Sequence, residues 1–341
     1  MKSLKFTIIT IVIAVFSVLN LLLGSVSIPV GNILEILAGG DGGNEVWRNI
    51  IISSRLPQTL TAIVAGAGLA VSGLQMQTVF RNPLAGPSVL GISNGASLGV
   101  AFVVLLSGSI GGTALSRMGY IGTAAMTAAA IFGSLAVMGL ILYVSQKVKG
   151  NVTLLIIGVM VGYLANAIIG VLKFFSAEED IRAFVVWGFG SFARVSGDQM
   201  LLFVTIMAVL LPLSTLLCKQ MNILLMGDEY ASNLGLNLRR ARSLVIVCSG
   251  VLVAIVTAYC GPIMFIGFAV PHLCRVIFRT TDHRTLMPAS MATGAALALL
   301  CNLIARMPGF EGALPVNSVT ALIGAPVIAY VLFRRNQKIV M

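Results

Sequence analysis

Residues 56–80 read LPQTLTAIVAGAGLAVSGLQMQTVF and contain no Asp, Glu, Lys or Arg. Other stretches share this property, among them 118–146, 150–172, 199–218, 243–274, 285–305 and 312–333. A hydrocarbon core about 30 Å thick is crossed by a helix of roughly 20 apolar residues. A charge at the centre of such a helix costs about 2.5–3.5 kcal/mol on insertion scales. The repeated charge-free runs therefore predict an all-α, polytopic integral membrane protein.

The composition argues against other classes of protein. Hydrophobic residues make up 58% of the chain and charged residues 10%, whereas a soluble domain is about 45–50% apolar and about 25% charged. Strands of a membrane β-barrel would alternate apolar and polar residues over about ten positions, but these runs are continuously apolar. The net charge of +11 lies beside the runs rather than in one patch, which argues against nucleic-acid binding.

The chain is predicted to form one transmembrane domain, 1–341, with ten spans. Lys2 and Lys5 precede an apolar run that is longer than the 7–15 residues of a signal-peptide core, so we expect this run to be a retained first span. The predicted spans are 6–24, 56–80, 89–107, 119–145, 151–173, 199–217, 244–260, 262–278, 286–305 and 315–333.

The distribution of charge predicts the orientation of the spans. An even number of spans places both termini on the same side. With that side cytoplasmic, fifteen of the 22 Lys and Arg residues lie inside and seven outside. The excess follows the positive-inside rule. We therefore expect a multi-pass protein of the cell's inner (cytoplasmic) membrane, with both termini in the cytoplasm.

Two places interrupt the helical pattern. Residues 82–87 read NPLAGP, and Gly261-Pro262 divides the long run 243–274. Non-helical backbone at membrane depth persists only where protein or a watery cavity satisfies its polar groups. Broken helices of this kind often line a translocation path, although ordinary kinks and tight turns give the same pattern.

The longest inner segment, 218–243, predicts a short projecting helix. Asp228 and Glu229 suit its first turn, where negative charge favours the helix dipole, and Gly235 suits the position just past its end. Arg239, Arg240 and Arg242 then open another helix at the membrane surface. The segment is either a solvated connector at the lipid headgroups or a handle for a cytosolic motor.

Several kinds of site find no support in the sequence. The phosphate-binding motif G-x-x-x-x-G-K-[ST] does not occur, no C-x-x-C pair occurs, and the two histidines cannot form a metal site alone. We therefore expect no catalytic residue, no metal site and no cofactor. No span carries a deep charge of the kind that ion-coupled carriers usually need. This absence argues against the alternative, an ion-coupled secondary transporter or channel.

Four segments resemble the permease subunits of binding-protein-dependent ABC importers for ferric siderophores, haem and vitamin B12. The first is 55–60, RLPQTL, and the second is 80–96, which includes NPLAGP and LGISNGA. The third runs from Gly261-Pro262-Ile263 through Asp282-His283-Arg284 to Pro288, and the fourth is 314–326, LPVNSVTALIGAP. Gln58 stands where many members have arginine, and Asn317 where they have glycine.

The resemblance implies partners and site residues. Members form dimers of ten-span subunits, with two cytosolic ATPase subunits beneath and a periplasmic or lipoprotein binding protein above. Whether the pair is a homodimer or a heterodimer stays open, as does the chelate. By resemblance, the ATPase-coupling loop comprises Asp228, Glu229, Ala231, Leu234 and Gly235; binding-protein docking uses Arg55 and Arg306; and the cytoplasmic gate comprises Asn82, Leu84, Asn151, Val152 and Thr153.

Overall fold

The computed structural model describes residues 2–24, 26–83, 85–106, 119–148, 151–195, 197–307 and 314–337. Within these ranges all regular structure is helical, which confirms the predicted class. The α-helices are α1 Lys2–Leu22, α2 Val30–Leu37, α3 Glu45–Ile50, α4 Leu56–Val79, α5 Ile92–Ala101, α6 Gly119–Lys147, α7 Asn151–Phe174, α8 Glu178–Gly188, α9 Gly197–Thr215, α10 Cys218–Leu225, α11 Asp228–Asn233, α12 Leu238–Cys260, α13 Ile266–Phe278, α14 His283–Ala305 and α15 Val316–Gln337. Short 3-10 turns cover Pro87–Leu90 and Phe192–Arg194, and π turns cover Ile51–Arg55 and Phe102–Leu106.

Every predicted span coincides with a helix, although the number long enough to cross a membrane unaided is smaller. In the described residues, six helical stretches are long and apolar enough, and a seventh arises if α9 and α10, which meet at 46°, form one span. The remaining predicted spans correspond to the shorter apolar helices Ile92–Leu106, Ile266–Phe278 and Val316–Pro326. A polytopic helical membrane protein is thus confirmed, and the count of ten is approximate.

Two helices have other ends than the predicted spans that they contain. The π turn Ile51–Arg55 joins α3 to α4 in one helical stretch, Glu45–Val79, so the helix of the second predicted span begins before residue 56. The helix of the eighth predicted span begins at Ile266 rather than at residue 262, after a break in which Phe265 adopts a left-handed φ of 67°.

Helix α4 lies at the centre of the bundle. It packs against α12, α13 and α14, and most of its residues are buried. A Cβ at Gly66 would overlap the backbone of Gly294 on α14, and one at Gly73 would overlap the carbonyl group of Gly267 on α13. Small residues allow this close approach, because packing rather than water exclusion holds membrane helices together.

We predict that Gly73→Ala sharply reduces the yield of folded protein, because the added methyl group has no space beside Gly267. Overpacking of a core typically costs about 1–3 kcal/mol. The matched control is Gly139→Ala on α6, where a Cβ would meet nothing within 4 Å. Size-exclusion yield and thermal unfolding in detergent measure both variants. Equal yields and equal unfolding temperatures of the two variants would contradict the close contact between α4 and α13.

Candidate functional site

The segment between α10 and α12 contains the predicted short helix. Helix α11, Asp228–Asn233, begins after Gly227, and Gly235 follows it with φ +79°. The N–H of Gly235 donates to the carbonyl of Ser232 at 2.9 Å, and the N–H of Leu236 to that of Ala231 at 3.0 Å. This pair of hydrogen bonds is a Schellman motif. The predicted glycine end of the helix is therefore confirmed.

Helix α11 has one buried side and one exposed apolar side. Ala231 is fully buried against the rest of the protein. Tyr230 is 66% exposed and Leu234 60%, and Glu229 is exposed beside them. Met226, just before the helix, is also exposed. A contiguous exposed apolar patch with polar neighbours is typical of a protein interaction surface.

Asp228 ties α11 to two other helices. Its carboxylate accepts from Nη2 of Arg242, on α12, at 2.8 Å to Oδ1 and 2.7 Å to Oδ2. Oδ1 also accepts from Nη2 of Arg81, just past the end of α4. Arg81 Nε donates in turn to the carbonyl of Leu224 on α10 at 3.2 Å. One carboxylate therefore connects α11 both to the end of α4 and to α12.

The environment of Asp228 predicts a pH dependence. Partial burial raises the pKa of this carboxyl, but hydrogen bonds and charge from Arg242 and Arg81 outweigh it and hold the pKa below its ordinary value of 3.8. A lowered folded-state pKa contributes stability that is present above pH 3.8 and declines as pH falls below it. We expect the difference in thermal stability between wild type and Asp228→Asn to shrink over that acid range. A difference that stays constant between pH 6 and pH 3 would contradict the ion pairs.

The segment after Arg81 leads to the predicted gate. The N–H of Asn82 donates to the carbonyl of Gln77 at 3.2 Å, and Asn82 in turn accepts from the N–H of Ala85 at 3.0 Å. The 3-10 turn Pro87–Leu90 then packs against α7. Val152 is 70% exposed at the foot of α7, and Thr153 is exposed beside it. Leu84 and the side chain of Asn151 lie outside the described residues.

A second polar network, which the sequence did not suggest, joins the ends of α4, α10 and α14. The buried His283 lies between Thr78 Oγ1, 2.7 Å from its Nε2, and Asn222 Oδ1, 2.7 Å from its Nδ1. Asn222 Nδ2 donates to Asp282 Oδ1 at 2.6 Å. That bond and the backbone N–H of Arg284 lower the pKa of the Asp282 carboxyl. A sequence feature that could have indicated this network is Asp282, which suits the N-cap position just before α14.

The two interruptions of the helical pattern lie on either side of one cavity. A space of about 230 Å³ is lined from one interruption by Gly86, Pro87 and Ser88 and from the other by Met264 and Phe265. In the second interruption, the N–H of Met264 donates to Asn317 Oδ1 at 3.1 Å. Asn317 stands where many members of the resembled family have glycine. Its side chain therefore accepts a hydrogen bond from the backbone at this interruption. Among the described residues, no group of three His, Cys, Asp or Glu side chains could hold a metal ion.

The two arginines predicted to dock a partner lie together on the outer side, but one of them is not at the surface. Arg55 is 1% exposed and donates to the carbonyls of Leu21 at 2.7 Å, Leu22 at 2.9 Å and Val26. It thus caps the C-terminal end of α1, where carbonyl groups lack partners. The predicted surface position of Arg55 is wrong, because its guanidinium is turned inward onto the carbonyl groups at the end of α1.

Arg306 approaches the same point from the end of α14. A Cβ on Gly24 would lie 3.0 Å from Nη2 of Arg55 and 3.2 Å from Nη2 of Arg306. Partial burial and the charge of Arg55 lower the pKa of Arg306. Arg306 as a whole residue is half-buried, and among the described residues its Nη1 is buried without a hydrogen-bond partner.

Comparison with known proteins agrees with this architecture. The model of the FecCD transport family matches residues 11–334. The chain is 36% identical over 330 residues to the vitamin B12 import system permease protein BtuC of Klebsiella pneumoniae, covering 96% of this chain and 92% of that protein. It is 35% identical over 294 residues to the hemin transport system permease protein HmuU of Yersinia pestis, covering 86% and 84%.

A solved structure has the same fold. It is described as a metal-chelate type ABC transporter in an inward-facing conformation, and it matches with a TM-score of 0.83 and 29% identity over 98% of this chain and all of that one. The family match spans nearly the whole sequence, and both relatives exceed 30% identity. The chain is therefore a member of the FecCD transport family.

Proposed function

We propose that the chain is the transmembrane permease subunit of an ATP-driven importer for a bulky metal chelate. The substrate class is a ferric siderophore, haem or cobalamin, in line with the relatives named for hemin and vitamin B12. The subunit pairs with a second permease subunit in the cell's inner membrane. It has no enzymatic activity, because ATP is hydrolysed on separate cytosolic subunits. A periplasmic or lipoprotein binding protein delivers the substrate.

The observation that carries this proposal is the exposed apolar side of α11. Tyr230 and Leu234 face outward, whereas Asp228 connects the same helix to α4 and α12. A surface that binds a cytosolic ATPase and is linked to the central helix transmits force into the bundle. Asp228, Glu229, Ala231, Leu234 and Gly235 form this coupling loop in our proposal.

The gate and the selectivity of transport follow from the same arrangement. Arg81 joins the coupling loop to the segment that begins at Asn82, and the 3-10 turn Pro87–Leu90 packs against α7. We assign the cytoplasmic gate to Asn82 and Leu84 together with the residues at the foot of α7, which are Asn151, Val152 and Thr153. With no charged side chain deep in the predicted spans, selectivity belongs to the binding protein in our proposal.

Co-purification tests the proposal. The chain is expressed with its cognate ATPase subunit and isolated by a tag on the permease. We expect the two to elute together in equal amounts and to hydrolyse ATP faster when the loaded binding protein is added. An ATPase that neither elutes with the chain nor responds to the binding protein would overturn the proposal.

The outer arginines give a prediction with two distinct outcomes. We expect Arg306→Glu to slow association of the binding protein at low salt, because rim charges mainly set association rates. Arg55→Gln should instead lower the yield of folded protein, because it removes three hydrogen bonds to backbone carbonyls. The matched control is Arg48→Glu, an exposed outer arginine paired with Asp41. Association measured by surface plasmon resonance that is unchanged in Arg306→Glu would remove this residue from docking.

A further inference from the structure

A basic cavity lies between α6 and α12 at the cytoplasmic side. It encloses about 300 Å³. The cationic side chains of Lys147, Arg239 and Arg242 line it, and Asp228 is the single acidic residue among the described lining residues. Ser145, Gln146 and Ser243 add neutral hydrogen-bonding groups. An adjoining cavity of about 300 Å³ shares Gln146, Arg239 and Ser243 and adds Arg240 and Asn237.

The charges of this cavity are poorly compensated within the protein. Helix α12 has three arginines in its first turn and a half and no acidic residue there, although the positive end of a helix dipole favours anions. Asp228 already accepts from Arg242 and Arg81. Among the described residues, no carboxylate forms an ion pair with Arg239 or Arg240. The cavity therefore has the chemistry of a site for an anion from outside the chain.

The position of the cavity indicates where the anion comes from. It lies where α6 ends and α12 begins, at the boundary of two membrane spans. Tyr143 on α6 is 58% exposed, and its hydroxyl accepts from Lys147 Nζ at 2.6 Å. Leu140 on α6 and Leu244 on α12 are also exposed. Apolar surface next to a basic, polar cavity matches a phospholipid, with acyl chains on the helices and a phosphate among the cations.

We propose that this cavity binds the headgroup phosphate of an anionic phospholipid of the cytoplasmic leaflet. Arg239 and Lys147 hold the phosphate, while Ser243 and Gln146 donate to its oxygens or to the headgroup. The positive-inside rule accounts for cations at this side of the membrane, but not for a cavity at which cations from two helices converge. The binding does not depend on the proposed transport function.

Lipid titration of the delipidated full chain in detergent tests the proposal. Phosphatidylglycerol, phosphatidylcholine and inorganic phosphate are added separately, and native mass spectrometry and thermal shift report binding. We expect phosphatidylglycerol to bind saturably, and we expect no saturable binding of phosphatidylcholine or inorganic phosphate. The double variant Lys147→Gln/Arg239→Gln should bind it about thirty-fold more weakly, the factor expected for two charges near a membrane surface. The charge-retaining variant Lys147→Arg/Arg239→Lys should keep the binding and shows that the fold tolerates changes here.

The matched control is Lys219→Gln/Arg284→Gln, which removes two exposed cytoplasmic charges outside the cavity. Equal weakening in this control would reduce the effect to general surface charge and overturn the site. Unchanged affinity in Lys147→Gln/Arg239→Gln would do the same. Inorganic phosphate that stabilises the protein as well as the lipid would assign the cavity to a free anion instead. If Lys147→Gln/Arg239→Gln kept full lipid binding but no longer bound the ATPase subunit, these cations would belong to a site for a protein partner instead.

Discussion

Leu234→Asp, at the residue that directly follows α11, is expected to abolish uptake of the substrate while the permease still folds and inserts. Leu234 is 60% exposed and forms the end of an apolar surface with Tyr230, so the monomer loses little packing when it changes. In the complex, the new carboxylate would be buried against the ATPase without a partner, which costs several kcal/mol. We expect uptake by reconstituted complexes to fall at least about tenfold, since 1.4 kcal/mol already corresponds to a factor of ten.

The control for this variant is Asn233→Asp, which introduces the same charge one residue earlier on α11 and removes no apolar side chain. We expect Asn233→Asp to retain most of the uptake. Glu229→Lys reverses a charge in the first turn of the same helix and should also uncouple transport. Wild-type uptake by both Leu234→Asp and Glu229→Lys would exclude α11 from the mechanism.

Asp228→Asn is expected to separate ATP hydrolysis from transport. The amide keeps the shape of the side chain but removes the negative charge that Arg81 and Arg242 share. Charge-assisted hydrogen bonds are about twice as strong as neutral ones, so α11 would be held less firmly to α4 and α12. We expect the ATPase to remain bound and basal hydrolysis to persist, while the number of substrate molecules imported per ATP falls several-fold.

The control for this second variant is Asp41→Asn, which breaks the exposed ion pair with Arg48 on the outer side. An exposed pair contributes about 0–1 kcal/mol, and this one lies far from the coupling loop in the predicted topology. Simultaneous measurement of ATP hydrolysis and uptake gives the coupling ratio for each variant. An Asp228→Asn complex with the wild-type ratio would show that its ion pairs do not transmit motion.

The sequence was most informative where the physical rule is local. Charge-free runs predicted the membrane helices because the cost of a buried charge applies to each span separately. The short helix α11 was predictable in the same way, since Asp228 suits its first turn and Gly235 can adopt the left-handed conformation that ends it.

The sequence was least informative where residues far apart in the chain meet. Arg81 and Asp228 are 147 residues apart, and no local pattern pairs them. Arg55 resembled an arginine at a span end, but its burial depends on the carbonyls that end α1. His283 offered no signal of its own, because its partners come from two other helices. These contacts depend on how the helices pack against one another.

The central claim is that this chain is a passive path driven by cytosolic ATPases through α11. The most direct test is substrate uptake into proteoliposomes that contain the permease, its ATPase subunits and the loaded binding protein. We predict uptake with enclosed ATP and Mg²⁺, no uptake with a non-hydrolysable analogue, and no response to an imposed proton or sodium gradient. Uptake driven by an ion gradient without ATP would contradict the claim and identify an ion-coupled transporter or channel.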